Sequence, residues 1–160
     1  MAEQAIYLST LGVHMYYGVE KTAGTMPTTK ADFTELEGVK SIPSMNPSPD
    51  SLDTTTLNET EYKTSIPGLK DLGGALSFTF NMSQKLVDVW DELVEAYTTA
   101  AATGKRTWFY IEIPGLTKGL FFPGQPTSIG LPELGVNSVI EVENSITPVG
   151  APVWATKPTE

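Results

Sequence analysis

The chain has 160 residues, 40% of them hydrophobic and 18% charged, which gives room for one domain with a single sizeable core and excludes a disordered acidic polymer. A formal charge of −9, with only ten scattered Lys and Arg, excludes binding to nucleic acid by phosphate neutralisation, and no run approaches the ~20 apolar residues that cross a bilayer. The absence of cysteine excludes disulfides, thiolate metal sites and a cysteine nucleophile.

The first residues, MAEQAIYLSTLGVHMYYG, begin with an acid and have neither a basic region nor an uninterrupted apolar stretch. They do not read as a signal peptide, so the product is expected to stay in the cytoplasm. Alternation of apolar and polar residues predicts strands at 13–20 (VHMYYGVE) and 33–41 (FTELEGVKS). The next stretch, IPSMNPSPD at 42–50, carries three prolines, which prevent regular ladder bonding and predict a surface loop. A strand at 51–57 follows. Residues 58–74 (NETEYKTSIPGLKDLGG) are polar at first and turn-rich later, and they predict a loop longer than joining two strands requires. A further strand is expected at 74–81.

The pattern then changes period. Leu86, Val87, Trp90, Leu93, Val94 and Tyr97 share one face of a helix, with Asp88, Asp91, Glu92 and Glu95 largely on the other. Asn81 or Ser83 suits the N-cap, and Gly104 with Lys105 and Arg106 suits the C-terminus, so an amphipathic helix is expected at about 83–102, packed on a sheet. Strands at 106–113, 117–122 and 136–147 complete a mainly β domain over residues 1–160. The last segment, 148–160, has three prolines and one tryptophan and reads as an extended C-terminal arm anchored by Trp154.

Residues able to do chemistry are few. His14 is the only histidine and has no acid, serine or second histidine at motif spacing. Neither a G-x-x-x-x-G-K-[ST] loop nor a G-x-S-x-G elbow occurs. Glu141 and Glu143 lie two apart on one strand face, as a glycosidase pair requires. Their alternation with Val139, Ile140 and Val142 favours a plain wet face, and Glu112 between Ile111 and Ile113 belongs to the same kind. The acidic balance either keeps the chain soluble or repels a phosphate backbone so that DNA slides past.

Residues 47–83 carry a distinctive order of motifs. Asp53 to Thr55 form a D-x-T strand, a polar loop follows, and Ile66-Pro67-Gly68-Leu69-Lys70-Asp71-Leu72-Gly73 make an I-P-G-L-x-D-x-G turn. Leu76-Ser77-Phe78-Thr79-Phe80-Asn81 then form an L-x-F-x-x-N strand, ahead of the helix and the FFPG connection at 121–124. The region resembles the signature of the major tail tube proteins of long-tailed, non-contractile bacteriophages, of the siphophage type. The resemblance implies a β-sandwich or barrel-like tail tube fold flanked by one helix, with a long inter-strand loop and extended termini. It implies a structural virion protein with no catalytic residues, metal or cofactor, six copies of which close into rings stacked as a tube for DNA ejection. The implied partners are the chain itself and the tape measure, tail terminator and tail tip proteins, with double-stranded DNA passing through unbound and no membrane involved. In that setting Glu59, Thr60, Glu61, Tyr62, Lys63 and Thr64 are expected to make contacts between stacked rings, and Glu35, Glu37, Glu141 and Glu143 to supply lumen charge. The tube of a contractile tail or a secretion-like injection system is the nearest alternative. A carbohydrate-binding β-sandwich is a further one, disfavoured because Trp90 and Trp108 fall at core positions and leave Trp154 alone.

Overall fold

The computed structural model describes residues 11–46, 48–71 and 74–158. Strand β1 is His14–Val19, followed by a single 3-10 turn at Lys30–Asp32, β2 at Phe33–Glu35 and β3 at Val39–Ser41. β4 is Ser48–Asp53, β5 Ser65–Asp71 and β6 Leu76–Asn81. Helix α1 spans Gln84–Ala102, and β7 (Thr107–Glu112), β8 (Lys118–Pro126), β9 (Glu141–Pro148) and β10 (Val153–Thr156) follow. The mainly β class with one flanking helix is as the sequence predicts.

The helix begins and ends where its caps allow. Ser83 takes an extended conformation and its Oγ accepts the Leu86 N–H at 3.1 Å, satisfying one of the donors that a first turn leaves unpaired. Gly104 adopts φ +76° just past Thr103, a left-handed conformation that ends the helix at little cost. Leu86, Trp90 and Leu93 are buried, and Asp88, Asp91, Glu92 and Glu95 are exposed.

The main sheet runs in the order β2-β1-β7-β8-β9-β6-β3, with β10 on β8. Its two end strands, β2 and β3, are consecutive in the chain and joined only by residues 36–38. Three linking residues cannot cross a flat seven-strand sheet, in which neighbours stand ~4.8 Å apart, so the sheet curls until its two edges come within reach of that link. The strand expected over 33–41 is therefore two strands at opposite edges. The break falls at Gly38, which has φ +84°; a Cβ there would stand 3.0 Å from the Asn81 carbonyl oxygen. Leu36, in the link, turns inward and is buried.

Inside the curl, Phe78, Phe122 and Phe109 stack in sequence at 6.2 and 5.4 Å, with Met15, Ile111, Val142 and Ile146 around them. Trp90 closes this core, its ring edge-on to Phe80 at 5.6 Å and its Nε1–H donating to the Thr127 carbonyl at 2.7 Å. A second cluster lies on the opposite face of β7 and β8, where Tyr110 stacks on Phe121 at 4.6 Å and Tyr16 on Tyr110 at 5.4 Å, flanked by Phe33, Met26 and Ala155. β7 is thus buried on both faces. Tyr110 lies flat over Gly119, where any Cβ would strike its ring.

Five further expectations change. The proline-rich loop at 42–50 gives way to strand at Ser48, and the strand expected at 51–57 ends at Asp53. The long loop expected over 58–74 contains β5, antiparallel to β4. Pro67 is tolerated there because β5 has a single neighbour and β4 is irregular between Pro49 and Ser51. The strand expected at 136–147 begins only at Glu141, after Asn137 turns the chain with φ 59°. Finally, the arm at 148–160 is a strand in part, since Val153–Thr156 pairs with Lys118–Phe121 of a β8 longer than expected.

Candidate self-assembly surfaces

Strands β4 and β5 form a separate two-stranded ribbon, and all six residues of β4 are exposed. The tip of this arm is ordered from within. Thr54 N–H donates to the Thr64 carbonyl at 2.9 Å, Thr64 N–H to the Thr55 hydroxyl at 2.9 Å, and the Thr64 hydroxyl to Glu59 at 3.3 Å. Asp53 accepts the Thr55 N–H at 2.9 Å, and hydrogen bonds from Thr55 hold its carboxyl below the usual range. Of the six tip residues singled out in the sequence, Glu59 and Thr64 serve this internal network. The side chains of Thr60, Glu61, Tyr62 and Lys63 make no hydrogen bond or ion pair among the described residues. Tyr62 is 81% exposed, and Leu57 and Leu69 are also bare.

A second uncovered apolar surface was not anticipated. The β8–β9 connection exposes Leu131, Leu134, Val136, Val139 and Ile140 within ten residues, where isolated exposed apolar residues would be ordinary. The alternation of VNSVIEVEN gave the signal, but it reads equally as a strand.

The four candidate lumen acids separate into distinct settings. Glu35 meets His14 Nδ1 at 2.6 Å on the β1–β2 edge, and Glu37 meets Lys85 Nζ at 2.6 Å near the start of α1. Glu141 pairs with Lys40, and Glu143 has no ion partner among the described residues. Glu141 and Glu143 stand opposite Asn81 and Thr79 on the outer side of the β6–β9 pair, where Ser77 and Ser145 continue a polar face. Trp154 lies in β10, opposite Leu120, with its side chain 54% exposed; backbone pairing, together with a contact of 3.7 Å between Lys157 and Glu112, ties the C-terminal segment down.

One functional-looking group is purely internal. Glu20 is 2% exposed, and its carboxylate accepts the Arg106 N–H at 2.7 Å, the Trp108 Nε1–H at 3.0 Å and the Gly24 N–H at 3.2 Å. Burial is the largest single influence and opposes ionisation, yet these bonds and the Arg106 guanidinium together hold the carboxyl below its ordinary range. Glu20 closes the strand–turn junction against β7. Sequence reasoning missed it because its partners lie 86 and 88 residues away. Among the described residues no three His, Cys, Asp or Glu side chains gather to hold a metal, and no helix is long and apolar enough to cross a membrane.

A sheet curled on itself, closed by one helix and bearing a separate two-stranded ribbon, defines a mainly β sandwich-like fold with one flanking helix. The chain resembles one from the baseplate of the anti-feeding prophage, with TM-score 0.62 over 98% of each chain at 9% identity. It resembles another from the tail of an empty gene transfer agent particle, with TM-score 0.57 at 14% identity, covering 90% of this chain and 96% of that one. A third comes from the sheath/tube terminator structure of an extracellular contractile injection system, with TM-score 0.61 at 10% identity, covering 95% and 100%. These likenesses show the fold. No protein-family model matches the sequence, and no curated protein matches it.

Proposed function

We propose that this chain is a non-enzymatic structural subunit that assembles with copies of itself into six-membered rings, stacked as the tube of a phage-type tail. The observation that carries this reading is the β4–β5 arm. A two-stranded ribbon is marginal in water on its own, and this one leaves Leu57, Tyr62 and Leu69 without cover. Another copy supplies that cover, and the recurrence of the fold in tail and baseplate chains supports the reading. The tube belongs to the virion tail, is put together in the host cytoplasm, and meets the tape measure, tail terminator and tail tip proteins. It needs no cofactor.

Residues 59–64 bridge successive rings in this scheme. Replacing them with a short Gly-Ser linker is expected to leave the melting temperature nearly unchanged while tubes seen by negative-stain electron microscopy become short or vanish, because a weak contact repeated around a ring is multiplied. Normal tubes from that variant would remove the arm tip from the stacking contact.

The polar β6–β9 face, with Glu141 and Glu143, lines the channel and lets double-stranded DNA pass without adhering. Changing both acids to lysine is expected to preserve tubes but make them retain DNA at low salt and release it at high salt. DNA retention equal to that of the unmodified chain would place these acids away from the channel. Glu35, in β2, and Glu37, in the β2–β3 link, belong to other elements than this face and meet His14 and Lys85.

The tube of a contractile injection machine is the second reading, favoured by the likeness to the sheath/tube terminator structure. Particles showing a bare single-walled tube support the first reading, and two concentric layers support the second.

A further inference from the structure

The arm is rooted at one end of the β6–β9 ladder, and the β8–β9 loop finishes at the other. β3 runs from Val39, opposite Phe80, to Ser41, opposite Thr79, so the chain enters the arm heading toward the Leu76–Ile146 end of the β6–β9 pair and returns into β6 at Leu76. The β8–β9 loop finishes at the other end. There the Ile140 carbonyl accepts the Met82 N–H at 2.9 Å, just beyond the Asn81–Glu141 pair. A six-residue strand at ~3.4 Å per residue sets these ends about 17 Å apart.

We propose that the arm of one copy docks on the β8–β9 loop of a second copy, a head-to-tail contact in which Leu69 and Lys70 meet Leu131, Glu133, Leu134 and Val136. The inference rests on the self-assembly reading and names the surfaces it uses. Like-to-like contacts are disfavoured by charge. Arm against arm would set a net acidic surface on itself, with Asp50, Asp53, Glu59 and Glu61 outnumbering Lys63 and Lys70, and loop against loop would set Glu133 against its own copy. Arm against loop instead brings Lys70 to Glu133, neither of which has an ion partner among the described residues. The prolines of the arm, Pro49 and Pro67, remove backbone donors from its strands, so the contact is made by side chains on its faces rather than by adding a strand. A contact between two different surfaces uses each once per copy and repeats without limit unless rotation closes it.

The cysteine-free sequence allows a direct test. Leu69→Cys and Val136→Cys are made as separate variants, at positions 86% and 91% exposed, and treated with a short bis-maleimide under assembling conditions. The mixture is expected to yield dimers linked between 69 and 136, identified by peptide mass spectrometry, while each variant alone yields only background. Links of 69 to 69 or 136 to 136 would show like-to-like pairing and overturn the proposal. Assembly of the chain with no 69–136 link would also overturn it while leaving self-assembly intact. An unmodified chain that stays monomeric at every concentration would remove self-assembly and the pairing together.

Discussion

Replacing Trp90 with alanine is expected to lower the stability of the folded subunit by ~3–5 kcal/mol, the usual cost of deleting a large core aromatic. Three losses combine. The indole is fully buried, its edge contact with Phe80 disappears, and the Thr127 carbonyl loses its donor. For a chain of this size ~1 kcal/mol moves the midpoint by roughly 2–4 °C, so a fall of about 10 °C is expected in a thermal melt. Urea titration should show the midpoint shift at constant slope. An unchanged melt would mean that α1 does not hold the open side of the sheet, and the helix-on-sheet packing would fail with it.

Glu20→Ala is expected to cost at least ~1–3 kcal/mol, the penalty of one buried donor left unsatisfied, because it leaves the N–H groups of Arg106, Trp108 and Gly24 without their acceptor. The pH dependence separates this from a packing defect. The folded-state pKa of Glu20 lies below its unfolded value, so its contribution is complete above the unfolded pKa and is lost as pH falls through the folded one. In Glu20→Gln, the stability difference from the unmodified chain should therefore be largest near neutral pH and shrink on acidification. A difference that stays constant across the carboxylate range would show that the charge of Glu20 contributes nothing.

Local signals were legible in the sequence. The stripe from Leu86 to Tyr97 and the Ser83 cap placed α1 to within a residue, and alternation in LSFTFN gave β6 its buried Leu76, Phe78 and Phe80. Other elements are set by partners far along the chain. β5 contains Pro67 and Gly68, both poor strand formers, and exists because β4 lies beside it. β10 is short and proline-flanked, and exists because β8 offers a free edge. The alternation over 33–41 is real, but Gly38 divides it between two edges of the sheet, a fact of topology that no local pattern contains. For the same reason the arm was legible as an excess of chain, whereas the β8–β9 loop concealed itself behind a strand-like pattern.

The way the arm is rooted has a mechanical consequence. Tension drawn through it enters the body at β3 on one side and at Leu76 on the other, and the part of it that runs along β6 acts lengthwise on that strand. The six pairs from Leu76–Ile146 to Asn81–Glu141 then bear that load simultaneously instead of parting one after another. A pull across the strands would peel the same bonds singly, at far lower force. The subunit is thus built to be stiff along one axis and comparatively weak across it.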